Sequence, residues 1–552
     1  MFFNNLHRFS TNVALCCAES NRVITYAELN ELISLRKNKL GDKRELVFIE
    51  AHTSIETIVD YIACLQLGKV VYLTESVNSD KTKDLIELYE PNILIGHNST
   101  IIRNSEREHE LHDNLCLLMS TSGSTGSPKF VKLSQHNICS NAESICEYLN
   151  LDQTEKAYLH LKLHYSYGIS ILNSHLNVGA CVVLTNQNIL DQKFWHDLTK
   201  YEATSFAGVP YTFETLLHSQ FDINQYPTLR YVTQAGGKLE KNLVVKFLDV
   251  LQNKTELFIM YGQTEASPRI SYLPPELAHK YPDSIGKAIP GGKLSLVKDS
   301  HSEILELNQE GELRYEGPNI MMGYASNPTE LYLDQTPEFL LTGDIAYKNS
   351  DGLYCITGRT KRFVKPFGVR VNLDDVQTYV KQFHAKCAIT GDDSKLIIAM
   401  EGSSEEAVLN LKLIQQLSDR YKLPASIFKI VHYTQLPLMS SNKYDFKAIL
   451  HEYTEVKASH SFVSKIKKWV YETLELDDSN WSSIHEMYIT CLDAPKATKQ
   501  DSFDSIGADS LSYVELSMEL EQILGLGLPL DWKSKTIGEL EAIYSQQIKV
   551  EI

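Results

Sequence analysis

From residue 120 to residue 129 the chain reads Ser-Thr-Ser-Gly-Ser-Thr-Gly-Ser-Pro-Lys, a stretch crowded with hydroxyls and ending in a cation. Ser120, Thr121, Ser122, Ser124, Thr125 and Ser127 offer hydroxyl donors, while Gly123 and Gly126 let backbone N–H groups turn toward one anion. Lys129 adds a positive point charge. Together they make a cradle for a polyphosphate; with fewer such residues a polar surface turn would be the better reading. The nucleotide loop GxxxxGK[ST] does not fit, because Gly126 is followed by Ser-Pro-Lys-Phe.

Further chemistry-bearing residues follow. Phe258-Ile259-Met260-Tyr261-Gly262-Gln263-Thr264-Glu265 is an apolar run leading to an aromatic, a glycine, a hydroxyl and a carboxylate. Taken singly, the others have ordinary readings. His164 and Tyr165 are semi-buried aromatics before a glycine turn, Gln234–Leu239 (QAGGKL) is a tight turn, and Asp344 is a residue after a glycine turn. Lys361 with Arg362 is a solvated basic pair, Lys443 an isolated surface lysine, and Ser510 a helix N-cap.

The elements that must position these groups alternate in kind. Cys116–Met119, Val47–Ile49 and Val70–Leu73 are apolar enough for buried strands, and Ser54–Leu67 has the three-to-four spacing of a helix with one buried face. Such alternation predicts a layered α/β domain. At 552 residues the chain exceeds one hydrophobic core, so two or more domains are expected.

Hydrophobic and charged contents of 43% and 22% are those of a globular protein, and a net charge of −17 disfavours nucleic acid or an anionic membrane as main partner. Ten cysteines without a CxxC pair point to reduced packing thiols and a cytoplasmic setting. The first residues lack a basic leader with an apolar core, and no run nears the ~18 apolar residues of a membrane span. Internal repeats and low-complexity tracts are absent.

In order along the chain, these stretches resemble the adenylate-forming superfamily: acyl-CoA synthetases, luciferases and the adenylation domains of nonribosomal peptide synthetases. The likeness rests on the Ser120–Lys129 loop, Ile24–Leu29 (ITYAEL), Leu67–Leu73 (LGKVVYL), Phe258–Glu265, Leu341–Asp344 (LTGD), Gly358-Arg359 and Leu436–Asp445. It implies ATP and Mg2+ as cofactors. Thr121, Ser122, Gly123, Ser124, Thr125, Gly126 and Lys129 would hold phosphate. Gly236 and Gly237 would line the adenine and acyl pocket, and Tyr261 with Gly262 would form the adenine platform. Thr264 would touch phosphate, Glu265 would be the metal ligand, Asp344 would accept the ribose hydroxyls, and Arg359 would bind ribose or phosphate. Lys361 matches the hinge of a small mobile subdomain, and Lys443 the lysine that bridges acid and α-phosphate. The sequence departs from the family at Phe130, Pro366 and Asn442; Asn442 replaces a glycine but tolerates left-handed backbone.

His164 and Tyr165 correspond to the acyl-pocket gate, with Tyr165 where amino-acid-activating members carry Asp. A buried ammonium without a carboxylate is costly, so the expected acid lacks a free α-amino group. Asp501–Leu511 (DSFDSIGADSL), running into an amphipathic helix, resembles a carrier-protein attachment site with 4′-phosphopantetheine on Ser510. A helix N-terminus suits that phosphate.

The expected architecture is a large layered α/β adenylation subdomain (1–359), a small mobile α/β subdomain (360–455) and a four-helix-bundle carrier (460–548). The expected activity is acyl-AMP formation followed by thioester transfer to the chain's own carrier. Implied partners are a small carboxylic acid, a phosphopantetheinyl transferase and a downstream acyl-accepting enzyme. Rivals are an acyl-CoA ligase using free CoA, an amino-acid-activating didomain and a non-catalytic carrier platform.

Overall fold

The structure is a computed structural model. It describes residues 1–96, 100–120, 129–219, 221–298, 302–364, 366, 371–392, 394–402, 407–421, 423–439, 444–453, 484–492, 494, 497–506, 516, 520, 532 and 534–548. The chain divides into two compact units, Met1–Tyr379 with Leu438–Lys443, and Val380–Pro437 with Tyr444–Ile552.

The first unit is the layered α/β body that the alternation predicts. One sheet runs, edge to edge, through Tyr324–Ala325, Phe130–Ser134, Leu115–Ser120, Val70–Thr74, Leu46–Glu50, Ile93–Ile95 and Ile101–Arg103. Val70–Thr74 pairs parallel with both Leu46–Glu50 and Leu115–Ser120 and is buried along its whole length, as a strand covered on both faces must be. The helix Ile55–Gln66 begins where Ser54 accepts a hydrogen bond from the Thr57 N–H, and every residue from Ile55 to Leu65 except Glu56 is buried. The ITYAEL stretch opens the helix Tyr26–Leu40, with Thr25 and Glu28 closing a capping box.

A second, larger sheet carries the Lys156–Leu159, Ser205–Gly208, Tyr231–Gln234 and Glu256–Gly262 strands in parallel, and Arg269–Leu273 turns back antiparallel on the last of them. A third, antiparallel sheet includes Gly311–Glu316, Leu340–Lys348 and Tyr354–Arg359.

Phe130, a departure from the family spelling, has a packing reason. It is fully buried in the Phe130–Ser134 strand, its ring centroid 4.6 Å from those of Tyr72 and Tyr89 and 6.0 Å from that of Phe48. Replacing Phe130 by Ala should cost about 3–5 kcal/mol of stability, read as a lowered urea midpoint, because the cavity cannot close among three other rings.

The second unit contains a three-stranded sheet, with Lys395–Glu401 antiparallel to Cys387–Asp392 and parallel to Phe428–Tyr433. Further along, the helices Ile484–Cys491, Phe503–Ile506 and Ile537–Ile548 share a buried cluster with Leu516, Leu520 and Trp532. The expected four-helix bundle lies partly outside the described residues, as do Lys443 and Ser510. Among the described residues no helix is long and apolar enough to cross a membrane, and no acidic, histidine or cysteine cluster could hold a metal.

Candidate active site

Three of the expected nucleotide residues, Tyr261, Asp344 and Arg359, meet at the end of the Glu256–Gly262 strand. The Tyr261 hydroxyl donates to Asp344 Oδ2 at 2.5 Å, Gln263 Nε2 donates to the same oxygen at 3.1 Å, and Arg359 Nε donates to Oδ1 at 2.9 Å. Gln263 Nε2 also reaches the Thr342 carbonyl at 2.7 Å. Asp344 is buried, while the paired Arg359 reaches the surface. Burial and the adjacent Asp344 carboxylate push the Tyr261 phenol well above its ordinary range, so it stays a donor.

Asp344 does not follow the glycine turn that its local spelling predicts. It lies within the continuous strand Leu340–Lys348, where Gly343 has φ +73° and the register against Gly311–Glu316 shifts. The bulge re-aims the Asp344 carboxylate, a task for which a residue free to adopt positive φ is needed.

Glu265 stands on the short turn Thr264–Ala266. Tyr324 donates to its Oε1 at 2.8 Å, and Lys129 Nζ lies 3.7 Å from the centre of the Tyr324 ring. These contacts bring a cation, a phenol and a carboxylate together beyond the Phe130–Ser134 strand. Asn319 fixes the loop behind Glu265, donating to the carbonyls of Ala266 and Arg269 while its Oδ1 accepts from Tyr315. Thr264 Oγ1 sits 3.4 Å from the Ser166 hydroxyl. One carboxylate with an exposed side suits Mg2+, which fills its remaining positions with phosphate and water oxygens.

Near the expected acyl-pocket residues His164 and Tyr165, Gly168 is not a turn. It belongs to the first turn of the helix Ser166–Asn177, where a Cβ would lie 2.3 Å from the Lys162 carbonyl. Tyr165 caps that helix, and its ring lies 4.3 Å from that of His164; both are half-buried. Gly236, with φ +85°, and Gly237 form an exposed bend tied down by Gln234 Nε2, which donates to the Gly237 carbonyl at 2.8 Å. A Cβ on Gly262 would meet the Pro268 carbonyl at 2.0 Å.

Thr121, Ser122, Gly123, Ser124, Thr125 and Gly126 lie outside the described residues, and Lys361 is described only by its backbone, in the turn Thr360–Arg362. Sequence reasoning missed Gln263, Tyr324 and Asn319. Gln263 stood inside the quoted motif, whereas Tyr324 and Asn319 lay outside every quoted stretch.

On the helix Ser166–Asn177, the buried His175 donates through Nδ1 to the Ile171 carbonyl at 2.8 Å, leaving Nε2 to accept from the Tyr231 hydroxyl at 3.2 Å. Burial pulls its pKa from 6.5 to about 4. The unfolded chain therefore binds one more proton between pH 6.5 and 4, so this contribution is complete above pH 6.5 and is lost as pH falls. It amounts to on the order of 3 kcal/mol. Urea unfolding at pH 7 and pH 4.5 should show a drop that shrinks in His175→Gln.

Residues 73–325 match the AMP-binding enzyme family and residues 489–543 the phosphopantetheine attachment site family. An oxalate–CoA ligase of Arabidopsis thaliana is 30% identical over 266 residues, 47% of this chain and 51% of that protein. Gramicidin S synthase 2 of Brevibacillus brevis is 24% identical, covering 94% of this chain and 12% of the synthase. The chain spans about half the length of the oxalate–CoA ligase and of the acyl-CoA ligase sidI of Aspergillus fumigatus. Among solved structures, ATP-bound MatB from Rhodopseudomonas palustris matches with a TM-score of 0.70 at 18% identity, over 83% of this chain and all of that one. O-succinylbenzoate CoA synthetase from Bacillus subtilis, with its acyl-adenylate intermediate, matches with a TM-score of 0.67 at 20% identity, over 80% of this chain and 96% of that one.

Proposed function

We propose, from an AMP-binding enzyme match followed by a phosphopantetheine attachment site match, that the chain activates a carboxylic acid as acyl-AMP and passes the acyl group to its own carrier. The acid lacks a free α-amino group, and the acceptor is the phosphopantetheine thiol on Ser510. The carrying observation is the Tyr261–Gln263–Asp344–Arg359 network with Glu265 at its edge.

In this reading Asp344 accepts the ribose hydroxyls, Arg359 holds its carboxylate in place, and the Tyr261 ring supports adenine. Lys129, Thr264 and the Thr121–Gly126 loop hold the phosphates, while Glu265 supplies one hard oxygen ligand to Mg2+. Bound there, the metal would neutralise phosphate charge as pyrophosphate departs. The substrate carboxylate attacks the α-phosphorus, a P–O–C mixed anhydride bond forms, and the bond to pyrophosphate breaks. Lys443 stabilises the charge that develops on phosphorus. Rotation about Lys361 then withdraws Lys443 and opens the anhydride to the carrier. Fusion makes delivery intramolecular and raises the effective concentration of the acceptor. The proposed domain limits are 1–359, 360–455 and 460–548.

Tyr165 supports an acid without an ammonium, since no carboxylate stands at that position. Relatives named as CoA ligases favour a second reading, in which free CoA is the acceptor and the carrier serves another enzyme. Acid-dependent exchange of labelled pyrophosphate into ATP tests the first half-reaction. It is expected with non-amino acids and not with α-amino acids; the reverse pattern overturns the acid class.

A further inference from the structure

Arg269 is a buried cation with no anion paired to it among the described residues. It is 3% exposed, it lies opposite Gly262 in the ladder between Glu256–Gly262 and Arg269–Leu273, and it makes no ion pair among the described residues. Its guanidinium carbon sits 4.4 Å from the centre of the Tyr167 ring, its side chain hydrogen-bonds Tyr148, and its Nε has no hydrogen-bond partner. Aromatic faces and one phenol do not replace the hydration that a guanidinium loses on burial.

A cavity of about 20 Å³ adjoins it, large enough for a water or two. Met260, Thr233, Ser170, Tyr231 and His175 help to line it with Arg269. These walls supply hydroxyls and an uncharged imidazole, but no carboxylate. Two of these elements run on to the candidate site: Met260 precedes Tyr261, and the helix carrying Ser170 begins at Ser166, which meets Thr264.

We infer that Arg269 receives a second carboxylate on the acid that this chain activates, so that the substrate class is dicarboxylic acids activated at one end. The inference rests on the adenylation reading above. It accounts for a cation buried beside polar walls: the partner that its burial requires arrives with the substrate and displaces the cavity water. An uncharged acyl tail would leave the guanidinium unpaired and remove its remaining access to water.

The test is acid-dependent pyrophosphate exchange by the full chain with succinate, glutarate, adipate and phthalate, each against its monomethyl ester. At least one diacid should exceed its ester by ~30-fold or more in kcat/KM. Arg269→Gln should lower that diacid by ~100-fold and bring the pair within a few-fold, while Arg269→Lys restores part of the preference. Thermal unfolding and AMP binding by calorimetry verify that each variant is folded. Preference for the ester in every pair, no exchange with any diacid, or an unchanged ratio in folded Arg269→Gln overturns the inference. The adenylation reading fails separately, only if monocarboxylic, aryl, hydroxy and amino acids also give no exchange.

Discussion

Ser510→Ala is expected to abolish covalent acyl loading while acid-dependent pyrophosphate exchange continues at the wild-type rate. The Asp509-Ser510-Leu511 spelling falls within the matched attachment domain, whereas Lys129, Tyr261, Thr264 and Glu265 fall within the separate match over residues 73–325. Alanine offers a phosphopantetheinyl transferase no hydroxyl, so the carrier has no thiol. The sequence predicts a helix N-cap at Ser510, and losing such a cap costs on the order of 1 kcal/mol, too little by itself to remove a carrier fold. Intact mass after incubation with transferase, CoA, ATP, Mg2+ and acid reads the outcome. Retained loading would place the acceptor elsewhere; lost exchange would mean that the carrier contributes to the first half-reaction.

Asp344→Asn is expected to lower kcat/KM for ATP by roughly 30- to 1,000-fold. The Asp344 carboxylate accepts from Tyr261, Gln263 and Arg359 at once. An amide keeps one acceptor oxygen and presents N–H groups where a second is needed. Either orientation leaves a donor facing a donor and strips Arg359 of its ion pair. Hydrogen bonds to a charged group are worth about 1.5–3 kcal/mol each, so losing the proposed ribose contact and part of its support amounts to about 2–4 kcal/mol. At 1.36 kcal/mol per tenfold, that gives the stated range. An effect on kcat/KM for ATP below fivefold, with the variant folded, would remove Asp344 from the nucleotide site.

Local patterns in the sequence reach the elements and many of the site's residues. The Val70–Thr74 strand and the Ile55–Gln66 helix follow from apolar runs and spacing, and Tyr261 and Glu265 stand where the end of an apolar strand puts them. Long-range pairing is harder to read. Tyr324 lies 59 residues from Glu265, and Gln263 lies 81 from Asp344, so nothing in either local pattern couples them. Gly168 and Asp344 were misplaced for a related reason. A glycine in a helix's first turn, or at a bulge inside a strand, is spelled like a glycine in a turn until its tertiary neighbours are known. Phe130 departed from the family spelling because a cluster of rings from Phe48, Tyr72 and Tyr89 closes around it. Arg269 gave no signal at all, since a buried unpaired cation is visible only once its surroundings are.

Intact-protein mass spectrometry on the pantetheinylated chain, given ATP, Mg2+ and a pool of carboxylic acids, tests the central proposal most directly. The account predicts a mass gain equal to one acyl group, dependent on ATP, located on the Ser510 arm and undiminished by excess free CoA. Acyl-CoA accumulating in solution, with the carrier left unloaded, would contradict it.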